Sequence, residues 1–452
     1  MRVLIAVHGY PPTHNGGAER RAERLARGLA SLGHAVDVLC IETPSASRPE
    51  LHWIDSASDG VRVRRVSFNL GQMPDPVRWS YENPDLGAVA AEMIAEHKPD
   101  ILHMFSGYLT GASVVQAAHQ AGVRTVISLT DYWWLCHQIN LVRTDDTRCD
   151  GPSPLKCARC QAELQRRFRL PAQIAPGLLG LAWQGAAALP VLEEPLGIAE
   201  QRRRRAVLLK TLSLADALIA PSHYLAETYI RHGAPAERIH VWRQGVELNI
   251  CPLRKPDPAF RFGFLGQVKP HKGVHTLLDA WELLGGSQPR RLTIYGSAEG
   301  DPEYAAQIRA RVAQLPDVSW PGTFAATGPW PVLAELDALV MPSRWVENSP
   351  NSILEAQAMG VPIVGTNLGG IAELVDHGRN GLLFAVDDAA DLARQLQRLL
   401  DEPELGAHLR RNPIPFQAQP EDLMHKIELY TRLIRGGRAM DRSGELRAIG
   451  VC

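Results

Sequence analysis

The sequence predicts an α/β protein with two doubly wound domains, each a parallel sheet with helices on both faces. Short apolar, β-branched segments alternate with amphipathic helical segments along most of the chain, which is the pattern typical of parallel sheets. The alternation pauses once, in the proline-containing stretch between 243 and 258, and then resumes. A chain of 452 residues is also long enough for two or three domains with buried cores.

The first half of the chain begins with the apolar run RVLIAVHG at 2–9, followed by a glycine-containing turn and a helical segment at 18–33. Further strands are predicted at 35–40, 100–105, 124–131 and 214–222. We assign residues 1–245 to an N-terminal Rossmann-like domain that carries a cysteine-rich insert at about 136–205.

The second half repeats this architecture without repeating the sequence. Strands are predicted at 260–268, 291–297, 318–322, 337–343, 361–366 and 381–386. We assign 246–412 to a C-terminal Rossmann-like domain, and 413–452 to a C-terminal helix, which can pack back on the N-terminal domain, and a polar tail. The carboxyl ends of the strands in both domains are expected to face a shared cleft.

Composition argues against several classes of protein. Lys and Arg total 48 against 49 Asp and Glu, so no global charge attracts nucleic acid or an anionic membrane. The first apolar run is too short for the core of a signal peptide, and no stretch of about 20 residues is apolar enough to span a bilayer. These features predict a cytoplasmic protein.

One segment, LPAQIAPGLLGLAWQGAAALPVL at 170–192, comes nearest to a membrane sequence, although prolines and glycines interrupt it. Arginine clusters flank it at 166–169 and 202–205. Two interpretations stay open: a packed insertion with solvated arginines, and a surface that holds the protein peripherally on an anionic leaflet.

Four of the seven cysteines lie close together in a polar, turn-rich stretch: Cys136, Cys149, Cys157 and Cys160. In a reduced cytoplasm such a cluster favours four thiolates around a structural zinc ion over disulfides. Redox pairing and plain burial of the thiols remain as alternatives.

The stretch RWVENSPNSILEA at 344–356 carries two glutamates on either side of a predicted helix start. Ser349 is predicted to cap this helix, and the amides at its N-terminus suit a phosphate. Glu355 lies roughly 9 Å along the axis from the cap, and Glu347 precedes it. The two carboxylates are therefore too far apart to share a proton, but they can bind hydroxyls of two rings on either side of a diphosphate. Alternatively, Glu347 is a loop charge and Glu355 forms an ion pair.

Two glycine- and lysine-containing loops support a nucleotide-sugar site. In FLGQVKPHKG the strand ends near Gly266 and Gln267, and the loop after it contains Lys269 and Lys272, whose ammonium groups can neutralise a diphosphate. In HGYPPTHNGGAER the paired glycines Gly16 and Gly17 allow close approach of a backbone to a bound group.

These motifs together resemble the retaining glycosyltransferases of the GT-B fold, the family with glycosyltransferase 4-like and group 1 domains, in a variant with a cysteine-rich insert. The resemblance covers nearly the whole chain: PPTHNGGAER, ADALIAPSHYLAE, QGVE, GQVKPHKG and ENSPNSILEAQAMGVPIVGTNLGGIAELVDHGRNGLLF. It implies a hexosyltransferase that uses a UDP-, GDP- or ADP-sugar and a sugar, lipid-linked or other hydroxyl acceptor, without a divalent metal for catalysis.

The resemblance also implies roles for individual residues. Glu347, with the amides of Asn348 and Ser349, is expected at the donor hexose, and Glu355 at the ribose. Lys272 is expected at the phosphates, with Gly16 and Gly17 from the other domain. The catalytic residues are accordingly Glu347, Lys272 and Asp131, and Gly266 and Gln267 complete the donor site.

Two positions depart from the family pattern. Gln267 stands where a phosphate-binding arginine is usual, and Thr130-Asp131 stands where His-Asp is common. Asp131 can still orient the acceptor, with His103 or His8 nearby. Trp133 and Trp134 are either a platform for a sugar or lipid, or core aromatics.

The expected function is hexosyl transfer in the synthesis of a cell-surface polysaccharide or glycolipid, with peripheral contact at the inner membrane face. The alternative is a non-catalytic relative that binds a nucleotide-sugar or glycan. A nicotinamide-dependent enzyme is not favoured, because no G-x-G-x-x-G follows the first strand.

Overall fold

The computed structural model describes residues 1–48, 50–247, 257–299, 301–324 and 328–436. The chain divides into two compact units. The first comprises Met1–Pro221, Leu225–Trp242 and the helical segment from Leu423 onward, and the second comprises Ser222–Tyr224 and Arg243–Asp422. Most of the predicted linker, from 248 to 256, and the C-terminal tail from 437 lie outside the described residues.

Within the described residues, the sheet of the first unit has eight strands in the order β3-β4-β2-β1-β5-β6-β7-β8. The strands are β1 (Arg2–Val7), β2 (Ala35–Thr43), β3 (His52–Ser58), β4 (Val61–Ser67), β5 (Ile101–Phe105), β6 (Arg124–Ser128), β7 (Ala217–Ala220) and β8 (Ile239–Val241). They pair in parallel, except that β3 runs antiparallel to β4. The buried central strand β1 is apolar on both faces, which is why its sequence is a continuous apolar run.

The β3–β4 hairpin is an element that the strand predictions missed. Its two strands are joined by Asp59-Gly60, and both residues have positive φ, 52° and 76°. Asp-Gly is the favoured pair for a two-residue hairpin turn, so the turn itself was the available signal. The strand β3 is mostly exposed at the sheet edge and therefore lacks the apolar run by which the other strands were found.

Helices cover the first sheet on both faces. Those that begin before residue 243 are α1 (Gly17–Ser31), α2 (Pro76–Trp79), α3 (Pro84–His97), α4 (Gly111–Gln120), α5 (Pro154–Glu163), α6 (Arg166–Ile174), α7 (Pro176–Ala187), α8 (Ile198–Leu214) and α9 (His223–Arg231). Helices α5 to α8 form the insert and enclose a small core of their own around Ala158, Ala162, Trp183 and Ile198.

The sheet of the second unit has six described strands in the order β11-β10-β9-β12-β13-β14, all parallel. They are β9 (Phe260–Leu265), β10 (Arg290–Tyr295), β11 (Val318–Gly322), β12 (Ala338–Met341), β13 (Ile363–Thr366) and β14 (Gly381–Phe384). The helices after them are α10 (Val274–Glu282), α11 (Pro302–Val312), α12 (Trp330–Glu335), α13 (Asn351–Ala358), α14 (Gly369–Leu374), α15 (Ala389–Asp401), α16 (Pro403–Arg410) and α17 (Gln419–Ile434). The predicted fold class, two Rossmann-like units, is confirmed.

The last helix, α17, returns to the first unit, as the predicted fold allowed. Its residues Leu429, Tyr430 and Leu433 are buried in the same core as strands β1 and β2. The Tyr430 hydroxyl also hydrogen-bonds Nδ1 of the fully buried His103 on β5. A segment distant in sequence thus completes the hydrophobic core of the first unit.

Candidate functional site

The candidate site of the second unit lies at the topological switch point of its sheet. After β9 the chain adds β10 and β11 on one side, and β12 then begins on the other side of β9. Loops that leave the carboxyl ends of two such neighbouring strands diverge and leave a crevice between them, where α/β sheets bind ligands. Lys272 follows β9 and Glu347 follows β12, so both predicted residues reach this point.

Lys272 and Glu347 form an ion pair there. Lys272 Nζ lies 2.5 Å from Glu347 Oε1, and the two side chains are only 18% and 9% exposed. Ser343 Oγ lies 3.1 Å from the same carboxylate oxygen, and the ammonium lies 4.9 Å from the centre of the Trp345 ring. Because few water molecules reach the pair, its electrostatic interaction is stronger than that of a surface pair. Ser343 and Trp345 were not singled out from the sequence.

Two glycines allow the loops around this ion pair to approach one another. Gly273 has φ of +73°, and a Cβ there would lie 1.9 Å from the carbonyl oxygen of Pro342. Gly370 donates its N–H to the carbonyl oxygen of Glu347 at 2.7 Å, and a Cβ there would lie 1.8 Å from the carbonyl oxygen of Asn348. No side chain fits at either position, so the backbone around Glu347 depends on glycine at both.

The start of helix α13 differs from the sequence prediction. The helix begins at Asn351 with Pro350 as its N-cap, and no side chain caps it, so the prediction that Ser349 is the cap was wrong. Instead, Gln244 Nε2 donates to the carbonyl oxygen of Ser349 at 2.8 Å and to Asn351 Oδ1 at 2.9 Å. The Ser349 hydroxyl is buried and has no hydrogen-bond partner among the described residues. Gln244 thus binds acceptor oxygens of this segment, and no side chain caps the first amides of α13.

The remaining predicted donor residues line the same end of the sheet. Glu355 is half-buried in the second turn of α13. Gly266 follows β9 and donates its N–H to Tyr295 at the end of β10, at 3.0 Å. The side chain of Gln267 is exposed. Because it is a neutral amide, this position supplies no fixed charge near Lys272.

In the first unit, the predicted glycine loop forms the start of helix α1. Gly16 is the N-cap with extended backbone, the helix begins at Gly17, and no side chain caps it. His8 Nε2 lies 3.2 Å from Glu19 Oε1 in the first turn. Burial disfavours the charged form of His8, but the hydrogen bond and charge of Glu19 outweigh it and raise the pKa of His8 above 6.5. Burial also disfavours the charged form of Glu19. The hydrogen bond and the charge of His8 outweigh this effect, so the pKa of Glu19 is lowered.

Asp131 is held at the end of the segment after β6. Its Oδ1 accepts from the Trp133 amide at 2.8 Å, and its Oδ2 accepts from Thr130 Oγ1 at 3.0 Å. The negative charge of Asp131 also contributes to the raised pKa of His8, so these two residues are neighbours. Thr130 therefore donates a hydrogen bond to the carboxylate of its neighbour Asp131.

Other candidates of the first unit are structural. His103 is fully buried, with Nε2 2.8 Å from Ser128 Oγ, and burial lowers its pKa well below the ordinary value. Trp133 and Trp134 are also buried, and the guanidinium of Arg204 lies 5.3 Å from the ring of Trp133. Both tryptophans are core aromatics, so the interpretation of them as a platform for a ligand was wrong.

The cysteine cluster does not form the predicted zinc site. All four cysteines are free thiols; Cys149 Sγ donates to a backbone carbonyl and Gln138 Nε2 donates to Cys160 Sγ, each at 3.4 Å. Burial raises the pKa of Cys136 to about 11. Within the described ranges, no group of three or more His, Cys, Asp and Glu side chains can hold a metal ion. Cys136 is buried and the other three cysteines are half-buried, and the insert has a small hydrophobic core of its own.

The ion pair between His8 and Glu19 predicts a pH-dependent stability. The raised pKa of His8 stabilises the fold below about pH 6.5, and this contribution is lost as pH rises through the folded pKa. The lowered pKa of Glu19 stabilises the fold above about pH 4.5, and this is lost as pH falls. His8→Gln should therefore cost about 1 kcal/mol of unfolding free energy near pH 5.5 and less at pH 9. Urea denaturation at both pH values measures this difference.

The control for that experiment is His119→Gln, at an exposed position on α4. This change should have nearly the same small effect at both pH values. A His8→Gln cost that is as large at pH 9 as at pH 5.5 would show that the ion pair does not contribute in the way described.

Sequence comparisons identify the family. Residues 16–245 match the glycosyl transferase 4-like domain, and residues 259–402 match the domain described as glycosyl transferases group 1. A D-inositol 3-phosphate glycosyltransferase of Jonesia denitrificans is 27% identical over 90% of this chain and 89% of its own. One from Pseudarthrobacter chlorophenolicus is 34% identical, but that match spans 47% of this chain and 54% of the relative. A GDP-mannose-dependent alpha-mannosyltransferase of Mycolicibacterium smegmatis is 25% identical over 86% of this chain and 85% of its own.

Solved structures share the fold of this chain. Anabaena HepE in complex with UDP and glucose superposes with a TM-score of 0.64 at 17% identity, over 95% of this chain and 99% of its own. Sucrose-phosphate synthase of Thermosynechococcus elongatus gives a TM-score of 0.64 at 16% identity, over 97% and 100% of the two chains. The chain therefore belongs to the GT-B-fold glycosyltransferases, with a glycosyl transferase 4-like domain followed by a glycosyl transferases group 1 domain.

Proposed function

We propose that this glycosyltransferase moves a hexosyl group from a nucleoside-diphosphate sugar to a hydroxyl acceptor, with retention of anomeric configuration. The observation that carries the proposal is the shielded Lys272–Glu347 ion pair at the switch point of the second sheet, beside the N-terminus of α13. A cation and a carboxylate in contact near a helix start support a site for a diphosphate and a sugar hydroxyl. The names of the similar proteins agree with such donors: one relative uses GDP-mannose, and one structure contains UDP and glucose.

In the proposed reaction, the second unit binds the donor. The bond between the hexose C1 and the diphosphate oxygen breaks, and a bond between C1 and the acceptor oxygen forms on the same face. Lys272 and the amides of α13 stabilise the charge that develops on the departing diphosphate, which accepts the proton of the acceptor hydroxyl. Glu347 binds the hexose and Glu355 the ribose. No divalent metal is required, because lysine and helix amides supply the positive charge.

The first unit is proposed to bind the acceptor. Asp131 orients the acceptor hydroxyl, and His8, whose charge Glu19 stabilises, is its neighbour. Gly16 and Gly17 supply amides at the start of α1 that are suited to a phosphate group. The proposed setting is synthesis of a cell-surface polysaccharide or glycolipid in the cytoplasm, at the inner face of the membrane.

A panel of UDP-, GDP- and ADP-sugars tests the proposal. We expect one nucleotide class to raise the melting temperature, and the same radiolabelled donor to be hydrolysed slowly or transferred to an added acceptor. Binding without any turnover across a broad acceptor panel would instead favour the non-catalytic, nucleotide-sugar-binding alternative. A protein that binds no nucleotide-sugar contradicts both.

Replacing Glu355 by Ala should weaken donor binding while leaving turnover at saturating donor nearly unchanged. A hydrogen bond to a charged group contributes about 1.5–3 kcal/mol, so the Kd for the donor should rise at least about tenfold. Isothermal titration calorimetry measures the Kd, and Glu404→Ala, the same change at an exposed position in α16, is the control. A Kd within about twofold of that of the wild-type protein would remove Glu355 from the donor site, since that corresponds to roughly 0.4 kcal/mol.

A further inference from the structure

Exposed large apolar side chains are concentrated in one segment of the insert of the first unit. Seven of the fifteen exposed large hydrophobic residues in the described part of the chain lie between Leu164 and Val191. We call six of them the apolar surface: Leu170, Ile174, Leu178, Leu181, Leu189 and Val191. Ile174 is 81% exposed, Val191 78% and Leu178 71%. Single exposed hydrophobic residues are common on soluble proteins, but a concentration of this kind indicates an interaction site.

Helix α7 packs against the insert on one side and exposes apolar residues on the other. Its residues Gly180 and Trp183 are buried, and Trp183 belongs to the small core of the insert. Its opposite side presents Leu178 and Leu181 to solvent, followed by the exposed Ala182, Gln184 and Gly185. Gln184 is the one polar residue of this helix, so its outward side, which carries two exposed leucines, is suited to a second apolar environment.

The charges around the apolar surface indicate what that environment is. The segment 164–192 contains no Asp or Glu, and its charged residues are three arginines at 166, 167 and 169. Arg167 and Arg169 are exposed, and neither forms an ion pair with a described residue; Arg167 Nε contacts Gln165 at 3.0 Å. On α8, Arg203 and Arg205 are exposed as well. Exposed arginines beside apolar side chains complement a surface that is negatively charged outside and apolar inside.

We propose that the apolar surface and the arginines of α6 bind the surface of an anionic lipid bilayer. Leucine and isoleucine side chains of α6 and α7 enter the boundary of the acyl chains, while Arg167 and Arg169 contact lipid phosphates. The segment lies on the membrane and does not cross it, because no described helix is long and apolar enough to span a bilayer. This inference deepens the membrane setting of the proposed function, on which it rests, and it favours the second interpretation of the 170–192 segment.

Co-sedimentation of the full chain with lipid vesicles, in the absence of donor, tests this proposal. We expect binding to vesicles of phosphatidylcholine with about a third phosphatidylglycerol, and much weaker binding to phosphatidylcholine alone. Ile174→Gln/Leu178→Gln/Leu181→Gln should raise the lipid concentration for half-binding more than about tenfold, because it removes the apolar contact. Arg167→Gln/Arg169→Gln should weaken binding by about tenfold or more at low salt, and by less at high salt, because salt screens the attraction.

The control is Leu283→Gln, at a leucine of the second unit that is 61% exposed, and this variant should bind vesicles as the wild-type protein does. The proposal is overturned if the wild-type chain stays in solution with anionic vesicles, or if the triple variant binds as well as the wild-type chain. It is also overturned if the triple variant loses self-association, measured by sedimentation velocity without lipid, but keeps its binding to vesicles. The surface is then a contact between copies of the chain. Donor binding in solution is measured separately, so failure of this proposal is distinguishable from failure of the proposed function.

Discussion

Replacing Lys272 by Met should lower the turnover number for hexosyl transfer by at least about 100-fold. Removing one preorganised group that stabilises developing negative charge costs roughly 10²–10³ in other enzymes. Here the Lys272 side chain is only 18% exposed and its ammonium directly contacts Glu347, so water cannot fully replace it. Single-turnover kinetics with a saturating radiolabelled donor separates this effect on the chemical step from an effect on binding.

Loss of Lys272 should also destabilise the fold, because it leaves the nearly buried Glu347 carboxylate without its cation. Breaking a buried ion pair costs up to about 3–5 kcal/mol, and less where some water reaches the pair, as here. The double variant Lys272→Met/Glu347→Gln should recover stability without recovering turnover. This separates the structural role of the pair from its role in the reaction.

Two further variants serve as controls for this prediction. Lys272→Arg keeps the positive charge and should retain more turnover than Lys272→Met. Lys269→Met removes a lysine from the same loop, at a position with no ion pair to Glu347 among the described residues, and should have a much smaller effect. Equal losses in Lys269→Met and Lys272→Met would mean that only the net charge of the loop matters, and the assigned role of Lys272 would be wrong.

Gly370→Ala should both destabilise the protein and lower transfer activity, although the residue contributes no side chain. Its new Cβ would lie 1.8 Å from the carbonyl oxygen of Asn348 and 2.8 Å from that of Glu347, so the backbone of this loop must shift. Overpacking against backbone atoms costs at least about 2 kcal/mol. The shift also breaks the 2.7 Å hydrogen bond from Gly370 to Glu347 and moves the carboxylate away from Lys272.

Gly406→Ala is the matched control, because nothing lies within 4 Å of its added Cβ, which sits on α16. That change should stabilise the helix by about 0.5–1 kcal/mol. Denaturant unfolding and donor turnover of the two variants measure the contrast. If Gly370→Ala unfolds at the wild-type denaturant concentration and transfers at the wild-type rate, the close approach of the two loops is not as described.

Most of the strands could be predicted from the sequence because their residues are buried on both faces. A central parallel strand such as β1 has to be a continuous apolar run, and this run is visible without any structure. The edge strand β3 has no such run, and β8 has only three half-buried residues. Both were missed for the same reason: an edge strand gains its stability from pairing rather than from burial of an apolar run.

Predictions from residue type were less reliable where a segment distant in sequence contacts the residue. Ser349 has the chemistry of an N-cap, but Pro350 occupies the cap and Gln244 satisfies the neighbouring groups. The pair Trp133-Trp134 looked suited to a ligand platform until burial excluded it. In both cases the residue type was compatible with two environments, and only packing against residues far away in sequence selected one of them.

The sequence by itself determined the fold class, the family and the residues that carry the proposed chemistry, because these depend on periodicity and on short motifs. Lys272 and Glu347 were identified separately, 75 positions apart. Only the tertiary structure decided that they touch, that Ser343, Trp345 and Gly370 surround them, and that the four cysteines remain free thiols. The physical reason is that a contact distance depends on the crossing of two loops, and the crossing depends on the order of strands in the sheet. Such an order is a property of the whole domain and is not encoded in any single segment.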